Sequence, residues 1–313
     1  MKSVCYGVAI LLFAGVAVRA DKQTTEAGKQ RMIARRTTKP VVIDGVFSPG
    51  EWSAAIPVHV DSVKPDAAPG LVPWQGQPFA LNPPDNQNDS SFTIYTMYDD
   101  NNLYVAVDVA DDKIISDNPD TPWLDDDVEI FIDGDKQPFD FAAIGGIPDW
   151  FGVLPNNEGF QLVTSAGNVA QVYPSPVIQV DWDSKAALRP RGFLVETRIS
   201  LDSINTIDNS WYTDPTLTPP DLSEGGDPTQ SDPPGATFSP VFRRPHPGDS
   251  IGFNVTVGDD DSGRQPGSDD PFQDSYIRTD LVPNPSSYTA WDGNSFNWDV
   301  TDETAWGTLY LAP

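Results

Sequence analysis

Hydrophobic and polar residues alternate one by one along this chain in short bursts, separated by Gly, Pro, Asn and Asp. In one burst Leu103, Val105, Val107 and Val109 share a face, with Tyr104, Ala106 and Asp108 on the other. Ile251, Phe253, Val255 and Val257 oppose Asn254 and Thr256 in the same way, and Phe193, Val195 and Ile199 oppose Glu196 and Arg198. A period of two marks a strand with one face on a core. The pattern predicts a hairpin of residues 92–98 and 103–109 turning over Asp99 to Asn102. It also predicts strands over 128–132, 139–144, 160–164, 177–182, 193–199 and 251–257, with 306–311 closing the sheet. One-turn helical segments are expected at 48–52 and 201–204. With almost no helical period elsewhere, the expected fold is all-β, an antiparallel β-sandwich of jelly-roll-like type.

Two stretches break the alternation. Residues 61–91 and 212–248 are rich in Pro, Gly, Asn and Asp, and read as long loop insertions into one sandwich. Neither leaves a self-sufficient core on both sides. At the N-terminus, Lys2, an apolar run from Val4 to Val18 and the small-residue end Val18-Arg19-Ala20 predict a secretory signal peptide over 1–20. That run is too short and wrongly flanked for a spanning helix. Residues 21–39, polar with basic patches, read as a flexible leader or a short amphipathic segment. The sandwich is expected to begin at Pro40 and to occupy 40–313.

Charge then narrows the partners. The formal net charge is −27, and losing Lys2 and Arg19 with the signal makes it more negative by two. Such a surface repels nucleic acid and anionic membranes, leaving neutral glycans as a compatible class. No apolar run of spanning length follows the signal. The sole cysteine, Cys5, lies inside it, so the mature chain is expected to have no disulfide, thiolate metal site or cysteine nucleophile.

Candidate chemistry gathers at Thr121-Pro122-Trp123-Leu124-Asp125-Asp126-Asp127, just before the strand over 128–132. A Trp beside three Asp residues is expected near the surface, because uncompensated charge resists burial. Presented rigidly among hydrogen-bonding carboxylates, it suits stacking on the apolar face of a sugar ring. The other reading is a Trp plugging the sandwich end, with the Asp run solvated or holding calcium. Asp111-Asp112, Asp125 to Asp127, Asp133-Gly134-Asp135 and Asp259 to Asp261 are oxygen-only clusters suited to that ion, though none has EF-hand spacing. Asp111, Asp127, Asp133 and Asp259 are the candidate ligands. Trp52 is expected in the core, whereas Trp298 lies in a polar, turn-rich stretch that should present it from a loop. Glu129 and Glu196 both point outward on strands and offer a carboxylate pair for glycoside hydrolysis, although 46 acidic residues make chance pairs inevitable. Met97 and His59 are the pair that a haem-binding sandwich would use. No metalloprotease, Ser/His/Asp, P-loop or dinucleotide motif is present.

The block from Pro122 to Asp133 resembles the Pro-Trp-x-x-Asp-x-Val-Glu-Ile-Phe-Ile-Asp core of family 9 carbohydrate-binding modules. Val42-Ile43-Asp44-Gly45 with Glu51-Trp52, Leu103-Tyr104-Val105, Asp249 to Val257 and Trp306-Gly307-Thr308-Leu309 resemble further family blocks, in family order. The resemblance implies a sugar held between Trp123 and Trp298, with Glu129 as a polar ligand. Asn294 or Ser295 stands for an asparagine of the second loop. The family's arginine on the next strand has no counterpart in 139–144. Structural calcium is also implied. The expected protein is secreted (extracellular or periplasmic) and non-catalytic. It would bind a terminal sugar of a neutral poly- or oligosaccharide in carbohydrate catabolism, beside separately encoded glycoside hydrolases. The alternatives are a haem-binding electron-transfer protein and a cryptic hydrolase.

Overall fold

The computed structural model describes residues 31–60, 87–134, 136, 159–173, 180–206, 242–260, 287–290 and 307–313. Twelve strands form one sheet: β1 (Arg31–Arg36), β2 (Val58–Val60), β3 (Ser90–Tyr98), β4 (Asn102–Asp111), β5 (Asp127–Asp133), β6 (Gly159–Ser165), β7 (Ala170–Tyr173), β8 (Trp182–Arg189), β9 (Gly192–Ser200), β10 (Ser250–Asp259), β11 (Ser287–Ala290) and β12 (Gly307–Ala312). The order is β7-β6-β5-β10-β12-β1-β3-β4-β9-β8, with β11 on β10 and β2 on β3. The sheet folds over so that the inner rows of all its long strands share one core. Leu103, Val105, Val107 and Val109 of β4 meet Val128, Ile130 and Ile132 of β5 there, with Phe193 of β9 and Phe253 of β10. Thr164 Oγ1 of β6 lies 2.8 Å from Ser184 Oγ of β8, which lies 3.0 Å from Thr197 Oγ1, so hydroxyls tie the two lips together. This is the expected all-β sandwich.

Four local expectations change. The sheet begins before Pro40: β1 lies parallel to both β12 and β3, inside the residues read as a leader. Only Met32 and Ala34 of that strand are buried in the core, and its basic neighbours hide so short a signal. The pairing is therefore antiparallel throughout except at β1. Strand β8 runs to Arg189 rather than ending at Trp182, and β7 is additional; both are sheet edges, whose polar composition masks their period. The first insertion ends earlier than 91, because Ser90 and Ser91 open β3. The expected signal peptide, the strand at 139–144, residues 61–86 and most of 212–248 lie outside the described residues.

The outer faces are covered as well. Segment 41–55 lies over β3, β4 and β9, burying Trp52, Met97, Tyr104, Ala106 and Leu194 in a second cluster. Glu196 anchors it from β9, accepting from Asp44 N (3.1 Å), Gly45 N (2.9 Å) and Trp52 Nε1 (2.8 Å). Gly45 has φ +79°, and a Cβ there would sit 2.7 Å from Ala187 Cβ, so the tight turn requires glycine.

The β3–β4 turn is held by Asp99. One of its oxygens accepts from Asn101 N and Asn102 N, both at 2.8 Å, and the other from Tyr104 Oη at 2.8 Å. Burial pushes the Asp99 carboxyl up, but these hydrogen bonds outweigh it and hold the group below its ordinary value. Burial first, then the hydrogen bond to Asp99, push the Tyr104 hydroxyl up to about 12. Asp99→Ala should cost about 1–3 kcal/mol, read as a lower urea midpoint with an unchanged slope. Because the folded pKa is depressed, the contribution of Asp99 is full above its unfolded value and is lost as pH falls through the folded one. The variant and the wild type should therefore converge in acid.

Candidate functional site

Pro122–Leu124 form a 3-10 turn immediately before β5. Pro122 and Leu124 are buried while Trp123 between them stays partly exposed. The turn is held from below by Asp125. Its Oδ1 accepts from Asp117 N (3.0 Å), Asn118 N (2.9 Å) and Asn118 Nδ2 (3.0 Å), and its Oδ2 from Ser116 Oγ (3.0 Å). From the side, Gln171 of β7 donates Nε2 to Asp120 O at 2.9 Å. The carboxylates expected in solvent are thus inside, with Asp125, Asp126 and Asp127 at most 1 % exposed. Amide and hydroxyl donors compensate Asp125 with four hydrogen bonds, whereas Asp127 Oδ2 has no partner among the described residues.

On the outer face of β5, Glu129 accepts from Thr256 Oγ1 of β10 at 2.9 Å. The register places Asn254 beside Phe131, and Gln171 in line with Glu129 across Val163 of β6, so polar and apolar side chains share this face. Glu129 is 4 % exposed, not a solvated strand residue. Asp127 precedes it on the same face and accepts from Gly258 N at 3.0 Å through Oδ1. Burial first, then Glu129, push the Asp127 carboxyl well up.

On the inner face three apolar rows run on into carboxylates: Asp111 follows Val109, Asp126 precedes Val128 and Asp259 follows Val257. All three are buried, and each offers an oxygen within 4.8 Å of the other two. Asp126 accepts from Asp260 N at 2.6 Å and from Ile115 N. Its carboxyl is pushed up to about 10, chiefly by burial and then by Asp111, with Asp259 adding to it. Three buried carboxylates converging on one point form an all-oxygen donor set with the chemistry of a hard-cation site. Of the four ligands expected from sequence, Asp111 and Asp259 meet here, and Asp126 takes the place of Asp127. Strand phase is the reason: Asp126 falls in step with Val128 and Ile130, and Asp127 with Glu129. Asp133, at the far end of β5, lies over Gly252 and accepts from Lys136 N at 2.9 Å. The overlooked signal was an acid prolonging an apolar alternation by one more step.

The two alternative chemistries do not assemble. Glu129 and Glu196 both point away from the shared core, on strands from opposite sides of the sandwich, and Glu196 already takes three donors. His59 pairs with Thr93 across β2 and β3, Nδ1 to Oγ1 at 2.9 Å. Met97 lies four residues further along β3, roughly 13 Å away, fully buried against Trp52 and Tyr104. They cannot serve one iron. Trp298, Asn294 and Ser295 lie outside the described residues.

Comparison with known proteins bears on the whole site. A structure of a family 9 carbohydrate-binding module from Caldicellulosiruptor kristjanssonii in complex with cellotriose is similar, with a TM-score of 0.50, 16 % identity, and coverage of 90 % of this chain and 94 % of that one. A second, of a family 9 module from the same organism in complex with glucose, gives 0.48, 16 %, 90 % and 95 %. At that identity, likeness speaks for the fold alone. No curated protein matches. The model of the "Carbohydrate family 9 binding domain-like" family matches residues 77–276, which span β3 to β10 with the Trp123 turn and Glu129. That match covers more than half of the 313 residues, and the chain belongs to the carbohydrate family 9 binding domain-like family.

Proposed function

We propose that this is a secreted, non-catalytic carbohydrate-binding protein. It holds a terminal sugar of a neutral poly- or oligosaccharide between Trp123 and Trp298, supporting carbohydrate catabolism beside separately encoded glycoside hydrolases. One observation carries the reading: Trp123 stays partly exposed on a turn anchored by buried Asp125, which accepts four hydrogen bonds. An indole held this way binds the C–H face of a pyranose at little entropic cost. Gln171 of β7, partly exposed and bonded to the turn at Asp120 O, lies alongside to take hydroxyls. The similar modules hold cellotriose and glucose, which makes β-glucans the first ligands to try.

Calcium belongs to the same reading. Asp111, Asp126 and Asp259 would hold it, and it would supply the positive charge that lets three buried carboxylates coexist. Asp126 precedes β5 and follows the residue that frames the Trp123 turn, so the ion would also steady the sugar platform.

Titration calorimetry with cello-oligosaccharides tests the site. Trp123→Ala should weaken binding by about 2–4 kcal/mol with an unchanged melting temperature, because its ring is not core. Trp298→Ala should do the same. Wild-type affinity in both variants would place the site elsewhere, and release of reducing ends from the same ligands would favour the hydrolase.

A further inference from the structure

The same end of the core contains a fourth oxygen. Ser90 opens β3 in phase with Phe92 and Ile94, so it too prolongs an inner apolar row. Its Cα is the register partner of Asp111 on β4. Residues paired in this way on one face bring their Cβ atoms to about 5 Å. Ser90 is 3 % exposed, and its Oγ is buried with no hydrogen-bond partner among the described residues. Buried hydroxyls are nearly always partnered, so such an orphan calls for an explanation.

We propose that Ser90 Oγ is a further ligand of the cation held by Asp111, Asp126 and Asp259, an inference that rests on the calcium reading above. With one oxygen from each, three carboxylates fall short of the six to eight oxygens calcium takes, and a neutral hydroxyl adds a donor without adding repulsion. The site then consists of two facing cross-strand pairs. Ser90 and Asp111 come from β3 and β4. Asp126, just before β5, and Asp259 of β10 lie one residue beyond the Asp127–Gly258 pair. The ion is a clamp between the two halves of the folded sheet, at the end that carries the Trp123 turn.

The test is calcium calorimetry and melting curves for wild type, Ser90→Ala, Ser90→Thr and Asp126→Asn, each with chelator and with calcium. Ser90→Ala should bind calcium about tenfold more weakly, the scale on which ligand count tunes such sites, and should show a smaller calcium-induced rise in melting temperature. In chelator it should melt at or above the wild-type temperature, since it loses only an unpartnered hydroxyl. Ser90→Thr should restore affinity. Unchanged calcium affinity in Ser90→Ala, or an equal loss of stability with and without calcium, overturns the assignment. A wild type that behaves like Asp126→Asn, binding no calcium, overturns the calcium reading itself and the Ser90 assignment with it.

Discussion

Chelation of calcium should lower the melting temperature by about 10 °C or more, and mild acid should return part of the loss. A ligand near a thousand times its dissociation constant adds about 4 kcal/mol to the folded state, and each kcal/mol moves a domain of this size by roughly 2–4 °C. The acid effect follows from Asp126, whose carboxyl is pushed up to about 10, chiefly by burial and then by Asp111, against an ordinary value of 3.8. A raised folded pKa means that the folded state binds the proton more tightly. Its contribution is complete below the ordinary value and declines as pH rises through the interval up to the folded one. With chelator, then, the protein should melt higher at pH 5 than at pH 8. Calcium should reverse that order, because it competes with the proton for the ionised group. Asp126→Asn separates this from the general relief of repulsion in so acidic a chain: it should be blind to calcium and should show a flatter pH slope. Melting curves that coincide in chelator and in calcium across this range would remove the cation from the account.

Trp52→Ala should destabilise the protein by about 3–5 kcal/mol, the scale for deleting a buried aromatic, without touching the sugar platform. Trp52 is 8 % exposed, meets Phe47 at 6.0 Å between ring centroids, and seals the outer cluster over β3, β4 and β9. Its Nε1 is also one of the three donors to Glu196, so the truncation opens a cavity and leaves a buried carboxylate short of a partner. Trp52→Phe keeps most of the packing and loses the donor, so it should fall between the variant and wild type. Urea unfolding separates the two terms, and calorimetry on the folded fraction should return wild-type sugar affinity. A shift below about 1 kcal/mol for Trp52→Ala, the scale of a surface substitution, would mean that segment 41–55 is not fastened to the sheet as described.

Sequence alone determined the class of fold and its inner surface. Period two is a property of the strand itself, so the inward rows of β4, β5, β9 and β10 were legible one by one. The Trp123 turn was legible too, because Pro, Trp and the acid run lie together in sequence. The outer surface was not, since alternation records only that a second face differs from the first. Tyr104 and Glu196 read as exposed and are buried because segment 41–55 covers them, and Glu129 is buried beside Thr256 of β10. The small, basic β1 is a strand only because β12 and β3 supply partners on both sides. The cluster of three buried carboxylates needed tertiary structure most. Asp111 and Asp259 end β4 and β10 and Asp126 stands just before β5; strand phase turns each inward but does not say that the three meet. Only the folding of the sheet onto itself brings their oxygens within 4.8 Å of one another.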